Sequence, residues 1–389
     1  MPTLLDRFFA RWRGPRERKS LGASSLFALG LQSDARWTPR NYAALARAGY
    51  QTNPVGYRAV RMIAEGAASV PWLFYQQGAE LIDHPLAALL AHPNAMESGA
   101  GFFETLYGHL LVSGNAYVDA AMLEGQVRAL HLLRPDRVRI IAGGDGWPQA
   151  YEYSVGGNVR RFGVEGELLH LKLFHPLDDH YGLSPFEPAA KALDIHNAGT
   201  AWNKALLDNG ARPSGALVYA NGEANLSDEQ FARLKAELEG QYQGAANAGR
   251  PLLLDGGLSW TAMSLTPQDM DFANARANAA REIALSFGVP PMLLGIPGDN
   301  TYANYREANL ALWRQTIIPL VAKLADALNF WLAPRFGEGI TISFDLDAVP
   351  ALSAERDGHW ARIGAADFLT EDEKRAAVGY GALDQTQHD

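Results

Sequence analysis

Two stretches of this chain carry the same pair of helix signals, and a separate module lies between them. The first begins at Ser184-Pro185-Phe186-Glu187, a capping box with proline at the first helical position, and reaches Gly210. The second begins at Thr266-Pro267, with Asp269 at the third helical position, and reaches Gly288. Glycine just past a helix is the favoured stop, because it adopts the left-handed conformation freely. The spacing predicts helices over 184–210 and 266–287. About 25 residues of helix span roughly 37 Å. Residues 211–265 hold "GALVYA", "PLLLDG" and "LSWTAM" as strands and "LSDEQFARLKAELEGQY" as a helix capped by Ser227 and Gln230. A small α/β module on two matched rods is a severe constraint. An isolated helix pair leaves both faces wet, so its apolar surface must be covered by other copies of the chain. Alanines at 273, 277, 280 and 284 let such copies approach closely, and Trp202, among Leu and Ala on the first rod, reads as core of the chain itself or as part of that contact.

The flanking segments read as an α+β arrangement. Asn53-Pro54 starts a helix that places Val55, Ala59, Val60, Ile63 and Ala67 on one face. "VPWLFYQ", "AYVDAAM", "ALHLLRPDRVRII", "AYEYSV" and "LLHLKLF" read as strands. Ser98 caps a helix through "GFFETLYGHLL". "GVPPMLLGIPGDNTYANYREA" (288–308) then connects two helices at unusual length, with an uncharged polar tip. The helix after it contains Pro319, where a kink is expected. "ITISFDL" is a strand, and Thr370 with Glu373 opens a last short helix.

The chain has 389 residues, a net charge of −9 and no cysteine, which excludes disulfides and thiolate metal sites. No apolar run reaches 18 residues, so no membrane span is expected. Residues 1–40 form a basic arm with eight Lys/Arg against three Asp/Glu. Residues 345–389 hold four against ten. An acidic chain is poorly suited to wrapping DNA, because affinity comes from neutralising phosphates. It suits a surface that DNA passes without sticking.

Catalytic patterns are scarce. The chain has no Walker-type phosphate loop, no G-x-S-x-G and no H-E-x-x-H. His175, Asp178, Asp179 and His180 are the one cluster around which a metal-dependent hydrolase can be drawn. The competing reading is a polar turn flanked by Pro176 and Gly182. No cofactor and no catalytic residue is assigned.

In order along residues 40–375, "NPVGYRAVRMIAEGAASVPWLFY", "HPLAALLAHPN", "GFFETLYGHLLVSGNAYV", "LHLLRPDRVRI", "LHLKLFHPLDDHYGLSPFEPA" and "FGVPPMLLG" resemble the HK97-like portal proteins of tailed bacteriophages. That family also occurs in prophages and gene-transfer agents, and the compact length and short tail here suit a gene-transfer-agent or small prophage version. The resemblance implies an elongated portal fold with a wing at 41–183 plus a strand at 340–346. It implies stem helices at 184–210 and 266–287 around a clip at 211–265. A tunnel loop and long kinked helix would fill 288–336, the wing strand 337–352, and a short helical crown 353–389. It implies a non-enzymatic ring, usually of twelve subunits, at one capsid vertex. Double-stranded DNA would pass through it, and the major capsid protein, the large terminase and a head–tail adaptor would bind it. Asn300, Thr301, Tyr302, Asn304 and Arg306 would then face the channel, where weak uncharged contacts let a duplex slide. The alternative is a head or tail scaffold protein without a DNA channel.

Overall fold

The computed structural model describes residues 37–39, 41–164, 166–208, 215–219, 227, 229, 232–233, 258–262, 272–298 and 302–379. Expectations for most of the basic arm, Gly210, most of the clip, the Thr266 start, Asn300, Thr301 and residues 380–389 lie outside them. A short helix α1 (Tyr42–Leu45) runs into a wide π turn (Ala46–Gln51). Helix α2 (Pro54–Ala68) starts where the Asn53 side chain accepts from the N–H groups of Val55 and Gly56. It buries Ala59, Val60, Ile63, Ala64 and Ala67, the face its periodicity predicts. After strands β1 (Trp72–Gln76) and β2 (Ala79–Glu80), α3 (Pro85–Ala91) and α4 (Gly99–Ser113) follow. Ser98 caps α4, and left-handed Gly114 ends it.

Three antiparallel sheets surround this helical core. Strands β3 (Asn115–Leu123), β4 (Gln126–Leu133) and β8 (Leu168–Lys172) form one, in the order β4-β3-β8. Strands β5 (Val138–Ala142), β6 (Pro148–Val155) and β7 (Asn158–Gly163) form the second. Strand β7 is absent from the sequence reading: four of its six residues are polar or glycine, and only Phe162 points inward, fully buried. In the third sheet β1 pairs with β2 and, in register Trp72↔Phe344 to Gln76↔Ile340, with β11 (Ile340–Phe344). Strands β9 (Gly215–Tyr219) and β10 (Leu258–Ala262) pair with each other across the 211–265 segment.

The first predicted rod begins later than its capping box suggests. Helix α5 spans Ala190–Asp208. Ser184 Oγ does accept from Phe186 N–H (3.1 Å), but the Ser184 carbonyl is taken by Glu187 N–H at 3.0 Å. The donor an α-helix would use is residue 188, which is proline and has no N–H. A turn replaces the first helical turn. Helix α6 (Phe272–Ser286) ends as predicted: Gly288 is left-handed (φ 65°), and Val289 N–H bonds the Ala284 carbonyl at 3.0 Å.

Helix α7 (Tyr302–Leu312), a π turn (Trp313–Ile317) and α8 (Ile318–Trp331) follow one another without a gap. The π turn sits on the residues before Pro319, whose ring would clash with the carbonyl four residues back in a regular helix. By length and composition, residues 303–335 are apolar enough to cross a membrane, contrary to the run-length expectation. Half of that apolar window is buried within the chain. Val321, Leu324, Leu328 and Trp331 join the α2–α4 core. Helix α9 (Ser353–Gly364) follows, within 353–389; the residue patterns alone do not single it out. Helix α10 (Glu371–Ala377) has the predicted Thr370–Glu373 capping box.

Candidate functional site

The long connection from α6 to α7 does not wander: its first ten residues are built. Gly288 reverses the chain, and Thr316 Oγ1 in the π turn donates to the Gly288 carbonyl at 2.8 Å. A short 3-10 turn (Pro291–Leu294) then ends at left-handed Gly295 (φ 72°). Ile296 N–H returns to the Pro291 carbonyl at 3.2 Å. These two glycines need positive φ, which other residues adopt only at a cost.

The returning segment lies on α6. Ile296 is buried against Ala280 and Ala284, with Leu294 and Val55 beside them. An Arg281 Nη donates to the Pro297 carbonyl at 2.5 Å. This corrects the expectation that Ala280 and Ala284 meet a neighbouring subunit. They are 5% and 0% exposed within the chain itself, and their small side chains make the notch that seats Ile296. Ala273 is exposed and Ala277 half-buried on the same helix, and Trp202 is half-buried on α5.

Of the residues expected at the tip, Asn304 and Arg306 lie exposed on the first turns of α7, and Tyr302 is the first residue of that helix. Arg306 stands 3.7 Å from Glu307, both well exposed. Such a pair contributes little to stability but cancels the local charge. The sequence reading missed Arg281 and Ile296. The available signal was Ile296 itself, an isolated aliphatic residue in a Gly/Pro-rich tract.

A buried polar junction ties both rods to α2. Asn53 Nδ2 reaches Asn197 Oδ1 (2.9 Å) and His196 Nδ1 (3.2 Å), and Asn197 Nδ2 donates to the Ala48 carbonyl. Asn53 Oδ1 accepts two backbone N–H groups, so its amide nitrogen is the donor on this side. On the far side of the ring Arg276 Nε donates toward His196 Nε2 at a long 3.5 Å. Burial, and secondarily Arg276, lower the pKa of His196 and keep it neutral.

The His175–His180 stretch is a turn. Asp178 Oδ1 accepts from the N–H groups of His180 (2.8 Å) and Tyr181 (2.9 Å), and His175 Nδ1 accepts from Leu177 N–H. Partial burial of the Asp178 carboxyl raises its pKa, but the two backbone donors outweigh it and the net shift is downward. Among the described residues no three metal-ligating side chains gather.

A family model described as phage portal protein matches residues 54–379. A solved structure described as the neck of an empty GTA particle, computed with C6 symmetry, contains a chain 52% identical to this one. The two superpose with a TM-score of 0.71, covering 90% of this chain and 96% of that one. A chain in the neck of a native GTA particle, computed with C12 symmetry, is 52% identical with a TM-score of 0.68, covering 89% and 95%. The portal protein of Enterobacteria phage HK97 is 27% identical over 302 residues, 76% of this chain and 69% of that protein.

Proposed function

The chain belongs to the phage portal protein family, and from that premise we propose that it closes into a ring at one vertex of a virion or gene-transfer-agent particle and conducts double-stranded DNA during packaging and ejection. The observation that carries this reading is the 52% identity, over nine-tenths of the chain, to a chain in the neck of a gene-transfer-agent particle. The symmetry of those necks favours twelve copies. A cyclic ring requires a heterologous interface, in which different faces of one subunit meet on the next.

Within that reading, residues 41–183 with 340–346 are the wing, 184–210 and 266–287 the stem, 211–265 the clip, and 353–389 the crown. The clip would receive the terminase motor and later the adaptor, and the wing the capsid protein. The role is structural. The sequence lacks a P-loop, which leaves ATP hydrolysis to a separate motor. Trp202, Ala273 and Ala277 are the remaining stem residues for subunit contact. Residues 298–303 with Asn304 and Arg306 form the loop that faces the DNA. Asn300, Thr301, Tyr302 and Asn304 offer replaceable hydrogen bonds, and the single Arg306 is offset by Glu307.

Deleting residues 298–303 tests the reading. Rings of unchanged size by mass photometry, with impaired DNA packaging or retention, are the expected result. Unchanged packaging would remove the loop's role.

A further inference from the structure

Pro297 has no N–H, and the backbone bonds of the residues before it, Gly295 to Met292 and Ile296 to Pro291, close the segment on itself and do not reach α6. What holds the segment to α6 is a side chain. Arg281 lies seven residues before Gly288, roughly 10 Å back along the helix. The chain must fold back over that distance for the Pro297 carbonyl to meet the guanidinium at 2.5 Å. Two left-handed glycines, Gly288 and Gly295, make that return. The Ala280/Ala284 notch receives Ile296 one residue before the contact. One apolar plug and one charged donor therefore act at adjacent positions at the end of a segment whose root is fixed by Thr316 on the Gly288 carbonyl, by Val289 N–H on the Ala284 carbonyl and by Val289 in the core.

We propose that Arg281 is a positioning residue: its guanidinium latches residues 295–298 to the stem helix and so sets where the loop that follows enters the channel. The inference rests on the reading of residues 298–303 as channel-facing. The latch has an electrostatic side as well. While Arg281 donates to a carbonyl, its charge is held at the root of a loop that carries the acidic Asp299 and the uncharged Asn300-Thr301-Tyr302. Released, it becomes a cation beside the DNA path, and cations there grip phosphate. Seating the loop and confining that charge to its root are one event.

Hydrogen exchange of assembled rings tests the latch. Arg281→Ala is expected to raise exchange at the Ile296 and Gly298 amides roughly tenfold, since a charge-assisted bond is lost. Arg281→Lys, which still carries a donor, should retain part of the protection, and α6 amides should be unchanged. Unaltered exchange at 296–298 in Arg281→Ala overturns the proposal. So does a uniform rise along α6, which marks general destabilisation. DNA retention in particles, compared with the 298–303 deletion, separates the two ideas. If Arg281→Ala loosens 296–298 while neither variant affects retention, the latch stands and the channel reading falls. If exchange is unaltered while the deletion impairs retention, the latch falls and the channel reading stands.

Discussion

Gly114 and Gly182 approach each other so closely that neither admits a side chain. A Cβ on Gly182 would lie 2.1 Å from the Gly114 carbonyl oxygen, and one on Gly114 would lie 2.4 Å from that of Gly182. The contact joins the end of α4 to the turn that precedes α5, and Asn115 Oδ1 seals it by accepting Gly182 N–H at 2.8 Å. Gly182→Ala is predicted to cost about 3 kcal/mol, read as a fall in denaturant midpoint without change in slope. The same asparagine oxygen sits 3.0 Å from His170 Nε2, whose ring stacks on Tyr117 at 4.4 Å. Burial, then Lys172, pushes the pKa of His170 down to about 3; burial, then Arg134, pushes that of His109 to about 4. Both are neutral when folded and take up protons more readily when unfolded. Their contribution to stability is complete above the ordinary histidine value of 6.5 and is lost as pH falls toward those depressed values. Melting temperature should fall between about pH 7 and about pH 5, and His170→Gln should flatten that slope.

Helix boundaries were legible in the sequence wherever one side chain satisfies a terminal backbone group. Asn53, Ser98 and Thr370 cap as read, and Gly288 stops as read. The miss at α5 has a local cause, the missing N–H of Pro188, which is visible in the sequence once the ladder is written out. The alanines of α6 failed for another reason. Small residues show that something comes close, not whether it is a neighbour or the chain's own returning loop. The run from α7 through the π turn to α8 gives an element-scale test. Buried positions run Leu312, Ile317, Val321, Leu324 and Leu328, a spacing of five across the π turn and of three or four elsewhere. Removing exposed Gln315 shortens the five to four, which fits a regular helix. That deletion is predicted to leave the fold intact but to cost about 3 kcal/mol, read by thermal melting, because it returns Pro319 to a regular helix in which its ring meets the carbonyl four residues back. An alanine inserted after Val321 should unfold the core by rotating Leu324 and Leu328 off their face.

At the scale of the molecule, twelve copies of a 42.3 kDa chain give a particle of about 0.5 MDa, which mass photometry resolves from a monomer. The acidic balance of the chain, −9 per subunit, suits a conduit that repels rather than wraps its cargo. Truncation after Phe336 should prevent soluble expression, because it removes β11 and leaves β1 without its long partner. That same pairing sets a clock on biosynthesis. Trp72 waits for Phe344, and a ribosome adding 5–20 residues each second takes roughly 15 to 55 seconds to deliver it. For that interval each nascent chain carries an open strand edge, on a polysome where identical edges stand close by. A protein destined to assemble with its own kind must therefore avoid doing so prematurely, and a holdase that shields β1 until translation ends is the safeguard this topology calls for.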